Sequence, residues 1–277
     1  MSIDQPSEVG EYDAGMQTLL QLLWGEGFLS PGGAAEVAYL LEGSDIAGCA
    51  VLDLGCGLGA VDELLVRRHG ARSVLGVDVD PGLLATMARR MERAGLAGQI
   101  STLCVTPGPL PLADGGFDVV FSKDAIVQIP DKSAVFAEAH RLLRPGGRLI
   151  VSDWLRGGSA AYSAEMLEFF RLEGIAYNMA SMAESIAALA RAGFVDTEVR
   201  DRHEWYRDLA RRELAALEGE LRSLVTERIG LQRAEHFVRN WRQMVRVLES
   251  GELRPAHLKA RKPAPAPAPA PANDARL

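Results

Sequence analysis

Val51-Leu-Asp-Leu-Gly-Cys-Gly-Leu-Gly59 puts three alternate glycines directly behind an apolar run that begins at Cys49. Glycines there permit a tight turn and let a ligand lie against bare backbone. Asp53 sits in the end of the run, placed to orient the loop or to accept a hydrogen bond from a cationic ligand. A second run, Ser73-Val-Leu-Gly-Val, ends at Asp78. An acid at that place accepts the ribose hydroxyls of an adenosine. The loop reads D-x-G-x-G-x-G, whereas dinucleotide sites read G-x-G-x-x-G, with the pyrophosphate at a helix N-terminus.

Outward from this loop, strand and helix patterns alternate. A helix is expected after the glycines as far as Arg68. Another spans about Pro81 to Ala94, with proline in the first turn. Strand runs follow at Ile100–Val105 and Phe117–Phe121. Asp131 is placed to cap a helix whose apolar residues Val135, Phe136, Ala139, Leu142 and Leu143 recur at helical spacing. Pro145-Gly-Gly is expected to stop it before a strand from Arg148 to Ser152. A sixth strand is read at Val195–Val199 and a seventh at His257–Lys262, with helical segments at 159–190 and 203–250. Nearly continuous apolar strands alternating with helices imply a sheet covered on both faces. The fold expected is α/β: a Rossmann-like, doubly wound, mostly parallel seven-stranded sheet with a helical N-terminal cap and lid insertions. Ligands of such sheets lie at the carboxyl ends of the strands.

Composition narrows the function. The 277 residues carry 30 Lys+Arg against 37 Asp+Glu, a net charge of −7, which argues against nucleic acid as a partner. No apolar run reaches the roughly 18–20 residues of a membrane span, and the N-terminus lacks a signal-peptide pattern. Cys49, Cys56 and Cys104 make neither a disulfide framework nor a zinc site, and no cluster has metal-ligand spacing. A cytoplasmic protein is expected, monomer or homodimer. Its divisions are a cap over 1–48, a binding core over 49–158, the rest of the sheet with lid helices over 159–262, and a disordered Pro-Ala tail over 263–277.

The glycine loop resembles motif I of the class I S-adenosylmethionine-dependent methyltransferases. Gly76-Val-Asp-Val-Asp80, Leu110-Pro-Leu-Ala-Asp-Gly-Gly-Phe-Asp-Val-Val120 and Leu143-Arg-Pro-Gly-Gly-Arg-Leu149 follow in that family's order. The resemblance implies S-adenosylmethionine as cofactor, held by Asp53, Gly55, Gly57, Gly59 and Asp78. Thr106 stands near the place of the family's adenine-binding acid, which leaves adenine to backbone groups and Val79.

Outside that core the chain looks like the phosphoethanolamine and small-amine N-methyltransferases, through Tyr12-Asp-Ala-Gly15, Trp24-Gly-Glu-Gly-Phe-Leu-Ser-Pro-Gly-Gly33, Ser122-Lys-Asp-Ala-Ile-Val-Gln128 and Val151-Ser-Asp-Trp154. By this resemblance Tyr12 closes over the cofactor, Leu29 and Ser30 lie at its amino-acid end, and Ser122 and Lys123, after the fourth strand, are expected to bind it as well. Asp124 faces the reaction centre, with Tyr12, Gln128 and Tyr177 as the other catalytic candidates. Three substrate-side positions depart from the group: Gln128 replaces a catalytic His, Trp154 a Tyr, and Ile175 a phosphate-binding Arg. A neutral amide cannot take a proton as imidazole can. The expected function is methyl transfer to a small molecule, foremost an amine nitrogen. The alternatives are O- or C-methylation, a non-methylating enzyme, or a non-catalytic binder on the same fold.

Other residues carry plainer expectations. His140 is read as exposed, and Cys56 as a packed thiol. His236 and Trp241 are read as core residues of a late amphipathic helix. His203, Trp205 and Tyr206 are read as pocket lining or as helix anchors. Arg207, Arg211 and Arg212 beside Glu204, Glu213 and Glu218 read as solvated helix pairs.

Overall fold

A computed structural model describes residues 12–158, 161–175 and 177–265. Five parallel strands form its centre: β1 (Ala50–Leu54), β2 (Ser73–Asp78), β3 (Ile100–Cys104), β4 (Phe117–Lys123) and β5 (Leu143–Arg156). β6 (Val195–Asp201) and β7 (Leu253–Arg261) complete the sheet in the order β3-β2-β1-β4-β5-β7-β6, with β7 antiparallel to both neighbours. The strand order reverses beside β1, so the glycine loop leaves the sheet at its switch point, where α/β sheets bind ligands.

Helices α1 (Ala14–Trp24), α2 (Gly33–Leu41), α3 (Ala60–Arg67), α4 (Pro81–Arg93) and α5 (Lys132–Leu142) occupy the first half of the chain. Their starts follow sequence chemistry. Asp13 accepts from the amides of Gly15 and Met16, Asp80 from those of Gly82 and Leu83, and Asp131 from that of Ala134. The second half adds α6 (Ala164–Glu173), α7 (Met182–Arg191), α8 (His203–Glu218), α9 (Arg222–Ile229) and α10 (Leu231–Glu249).

Three apolar clusters organise these elements. One joins α2, α3 and α4 to a face of β1 and β2, another joins α5 and α7 to the opposite face, and a third lies among α1, α6, α8, α9 and α10. Helix α1 packs among α6, α8, α9 and α10, whereas α2 covers the sheet. Of the 159–190 segment, α6 and the residues Ile175 and Met179 after it pack in the cluster of α1, α8 and α10. Ala188 and Leu189 of α7 are buried with Phe136 and Leu142 of α5, so α7 is part of the sheet's covering.

Two strand boundaries move as well. β5 begins at Leu143, because Leu143 pairs with Phe117 and the Pro145-Gly-Gly segment exchanges backbone bonds with Lys262. β7 begins at Leu253 and takes Pro255 into register with Trp154. The Pro-Ala tail beyond Pro265 and the cap before Tyr12 lie outside the described residues.

Candidate active site

The glycine loop turns under a constraint that only glycine meets without strain. Gly55, Gly57 and Gly59 have φ of 79°, 54° and 77°. A Cβ on Gly55 would come within 2.2 Å of the Ala125 Cβ, and one on Gly57 within 3.3 Å of Leu29 Cδ1. The Gly57 amide donates to Asp78 Oδ2 at 2.9 Å, and the Asp80 amide donates to Asp78 Oδ1 at 3.1 Å. The Asp78 carboxylate is thereby fixed at the end of β2 with lone pairs to spare. Beside it Val79 is 59% exposed, unusual for valine, and the Val105 amide bonded to Asp78 O carries Thr106 to the same rim. The loop therefore has a bare-backbone floor, an acid and an open apolar side chain, a cradle that suits an adenosine.

Asp53 is placed more deeply than the sequence suggests. It is 2% exposed and close to the fully buried Asp62 of α3, and Asp53 Oδ1 and both Asp62 oxygens have no partner among the described residues. Burial pushes both carboxyls up, and for Asp53 the charge of Asp62 adds to it. Two enclosed acids this close keep a proton between them rather than carrying two charges. Ser122 is also turned inward: it has no exposure, and its Oγ–H donates to Leu54 O at 2.8 Å, tying β4 to β1. That bond commits the hydroxyl to joining the two strands.

The other side of the site is built on Asp124, a non-glycine residue at φ 59°. A left-handed residue is tolerated where its surroundings over-determine it. Here the Asp124 amide donates to Ser152 O at 2.8 Å, Ser152 Oγ–H donates to Asp124 Oδ1 at 2.9 Å, and Lys123 Nζ donates to Oδ2 at 2.8 Å. Lys123 is buried and also donates to Ser30 Oγ and Pro31 O, both at 2.9 Å. Its ammonium thus joins the Leu29–Gly33 loop to Asp124.

Above Asp124 lies an aromatic group. Tyr177 stacks on Trp154 at 5.9 Å and 8°, and on Phe169 at 5.9 Å and 15°, while Tyr206 lies 5.3 Å from Trp154. Tyr12 and Leu29 pack against the same cluster. Burial pushes the phenols of Tyr177 and Tyr206 far up, so both remain protonated. Gln128 ends a 3-10 turn at Ile126–Gln128, and its carbonyl accepts from Asn178 Nδ2 at 3.1 Å, holding the Tyr177–Asn178 segment over the turn. Asp153 supports the same turn from below: it accepts from the Val127 amide at 2.9 Å, and burial lifts its carboxyl to about 7. The structure therefore gathers Tyr12, Leu29, Ser30, Lys123, Asp124, Gln128 and Tyr177 on one side and Gly55, Gly57, Gly59, Asp78, Val79 and Thr106 on the other.

Residues 52–151 match the family described as "Methyltransferase domain". The chain is 29% identical over 206 residues to phosphoethanolamine N-methyltransferase 1 of Arabidopsis thaliana, covering 74% of this chain and 41% of that protein. It is 31% identical over 175 residues to methyltransferase GfsG of Streptomyces halstedii, covering 62% of this chain and 63% of that protein. Among solved structures, a phosphoethanolamine N-methyltransferase 2 of Haemonchus contortus, in complex with phosphomonomethylethanolamine and S-adenosylhomocysteine, superposes with a TM-score of 0.83 at 21% identity, over 91% of this chain and 59% of that one. Residues 52–151 form a methyltransferase domain. The chain spans less than half the length of the curated plant relative. S-adenosylmethionine is the methyl donor of this family, and the bare loop, Asp78 and Val79 fit its adenosine part.

Several placements were not legible in the sequence. Glu213 is 6% exposed and accepts from Trp24 Nε1 at 2.6 Å and Trp241 Nε1 at 3.0 Å, so it ties α8 to α1 and α10 instead of forming a solvated pair. His140 is half-buried edge-on to Phe194 at 5.1 Å rather than exposed. Trp205 lies over Gly32 and beneath Arg202, an anchor for α8, whereas Tyr206 lines the aromatic group. Glu36, Arg202 and His257 form a buried cluster that no motif announces. Among the described residues no helix is long and apolar enough to cross a membrane, and no three acids, histidines or cysteines are grouped to hold a metal ion.

Proposed function

We propose that this chain methylates a small amine that lacks a phosphate group. The observation that carries the reading is the Asp124 carboxylate, fixed by Ser152 and Lys123 and close enough to act on Tyr206, which packs with Trp154 and, through it, Tyr177. A carboxylate attracts an ammonium, and aromatic faces attract its substituents when they are cationic or apolar. Ile175, at the position where the resembling amine methyltransferases carry a phosphate-binding Arg, is 5% exposed and packs in the apolar cluster.

S-adenosylmethionine, when bound, supplies a methyl group on a sulfonium. Everything else is positioning by the chain: Asp124 orients the amine, Tyr12 and Tyr177 close the site, and the aromatic group excludes water, which strengthens the electrostatic contacts. Phenols held protonated orient an acceptor by donating hydrogen bonds and take no proton themselves. The neutral Gln128 favours a second reading, in which an oxygen acceptor is hydrogen-bonded by the amide.

Transfer of labelled methyl from S-adenosylmethionine into simple amines, phosphoethanolamine, its methylated forms and phenols tests both. Label on the nitrogen of unphosphorylated amines, with phosphoethanolamine poor, is expected. Label on oxygen or carbon alone overturns the amine reading.

A further inference from the structure

With Gln128 unable to take a proton, the last strand offers a group that can. His257 lies within β7 and is 2% exposed. Its register partner on β5 is Ser152. Partners in an antiparallel pair present their side chains on the same face, with Cβ atoms about 5 Å apart. Because Ser152 Oγ–H donates to Asp124 Oδ1, one side chain separates the imidazole from the reaction-centre carboxylate.

The ring is held from its other side. Glu36, in the first turn of α2, meets His257 Nε2 at 2.7 Å and accepts from Arg202 Nε and Nη2 at 2.8 and 2.6 Å. Burial opposes ionisation of Glu36, but the hydrogen bonds from His257 and Arg202 outweigh it and hold the carboxyl below its ordinary range. An ionised carboxylate only accepts, so the proton of this contact is on Nε2. The lone pair of the neutral ring is then on Nδ1, and that atom is enclosed with no hydrogen-bond partner among the described residues. A buried acceptor without a donor points to one supplied by a ligand or a water.

We infer that His257, its tautomer fixed by Glu36, is the proton acceptor of the reaction centre, in the role that Gln128 cannot fill. This rests on the methyl-transfer reading above. In the step, the proton passes from the acceptor's N–H to Nδ1. The electron pair of that bond stays on the acceptor nitrogen, and Glu36 balances the imidazolium charge. Asp124 holds the amine meanwhile.

Burial depresses the proton affinity of His257 and Glu36 raises it, with the net shift downward, so the ring is neutral and receptive at pH 7. The charged and titratable groups facing it are Glu36 and Tyr39 from α2, Arg202 from the turn before α8, and Asp124 with its partner Lys123 after β4.

Two measurements test this. Nitrogen-15 NMR of the wild-type ring at pH 7.5 is expected to show the Nε2–H tautomer, independently of turnover. The Nδ1–H tautomer overturns the inference. His257→Asn is expected to lower kcat roughly 100-fold with cofactor affinity within about twofold of wild type, and to abolish the acidic limb of the kcat profile. A kcat within threefold of wild type, with that limb intact, overturns the inference while the methyl-transfer reading stands. Failure of the wild-type enzyme to methylate any acceptor overturns both.

Discussion

The two ends of the site are built on different principles. The glycine loop, Asp78 and Val79 come from one strand–loop–helix–strand passage, residues 51 to 79, and in its key contact a backbone amide, that of Gly57, donates to the Asp78 carboxylate. The acceptor end draws Tyr12, Ser30, Asp124, Trp154, Tyr177, Tyr206 and His257 from seven parts of the chain. Backbone recognition needs little beyond glycines at the right turn, so it shows as a spacing. Side-chain recognition needs only that residues meet in space, and meeting in space leaves no spacing. This division makes the first end, Asp78 apart, tolerant of side-chain change and intolerant of an added Cβ, with the reverse at the second end.

The largest expected effect is at the acceptor end. Asp124→Asn keeps a residue type that tolerates left-handed backbone, so the fold is retained and only the charge is lost. A fall in kcat of roughly 100- to 1,000-fold is expected, with S-adenosylmethionine affinity measured by calorimetry unchanged within about threefold. Loss of cofactor binding in equal measure would erase the division between the two ends.

Gly55→Ala tests the other end by adding only a methyl. Its Cβ would overlap the Ala125 Cβ at 2.2 Å, in a residue held at φ 79°. Strain and overpacking each cost about 1–3 kcal/mol, so denaturant unfolding should show a loss of about 3 kcal/mol together with weakened cofactor binding. Stability within about 0.5 kcal/mol of wild type would mean that the loop yields, and the contrast would be blunted.

The same division explains what the sequence did and did not disclose. The alternation of strands and helices around the glycine loop, the helix start at Pro81 and the Asp131 cap all follow from short-range chemistry. The assignment of α7 to the sheet's covering was hidden because its amphipathic pattern fits a lid helix as well. Glu213 was hidden for a related reason. On a helix with Arg211 and Arg212 nearby an acid reads as a surface partner, and only Trp24 and Trp241, 189 and 28 residues away, reveal that it is enclosed. His257 carries no local signal, since its partner Glu36 lies 221 residues earlier.

Glu213 also gives a pH test of the lid. Burial lifts its carboxyl from 4.5 to about 7 against the pull of the two indole N–H groups, so the folded state favours the protonated form. A group raised on folding stabilises fully below its unfolded pKa and loses that stabilisation as pH rises through its folded pKa. The window is therefore about pH 4.5 to 7, with an expected loss of about 3 kcal/mol across it. In Glu213→Gln the slope of Tm against pH over that range should flatten. An unchanged slope would assign the dependence to another group.

The smallest expected effect is the most discriminating for the cofactor end. Ser122 was expected to touch the cofactor, but its hydroxyl is enclosed and donates to the Leu54 carbonyl at 2.8 Å. If that bond only ties β4 to β1, Ser122→Ala removes one net hydrogen bond, about 1 kcal/mol of stability, and leaves a carbonyl short of a donor. The KM for S-adenosylmethionine should then stay within about twofold, because recognition rests on the backbone of Gly55–Gly59 and on Asp78. A tenfold rise in KM with stability unchanged would place the hydroxyl on the cofactor and show that the backbone-built end relies on side chains too. Because alanine neither adds bulk nor introduces a charge, the split between KM and stability reads the direction of a single hydroxyl, which is the point on which the sequence reading and the structure differ.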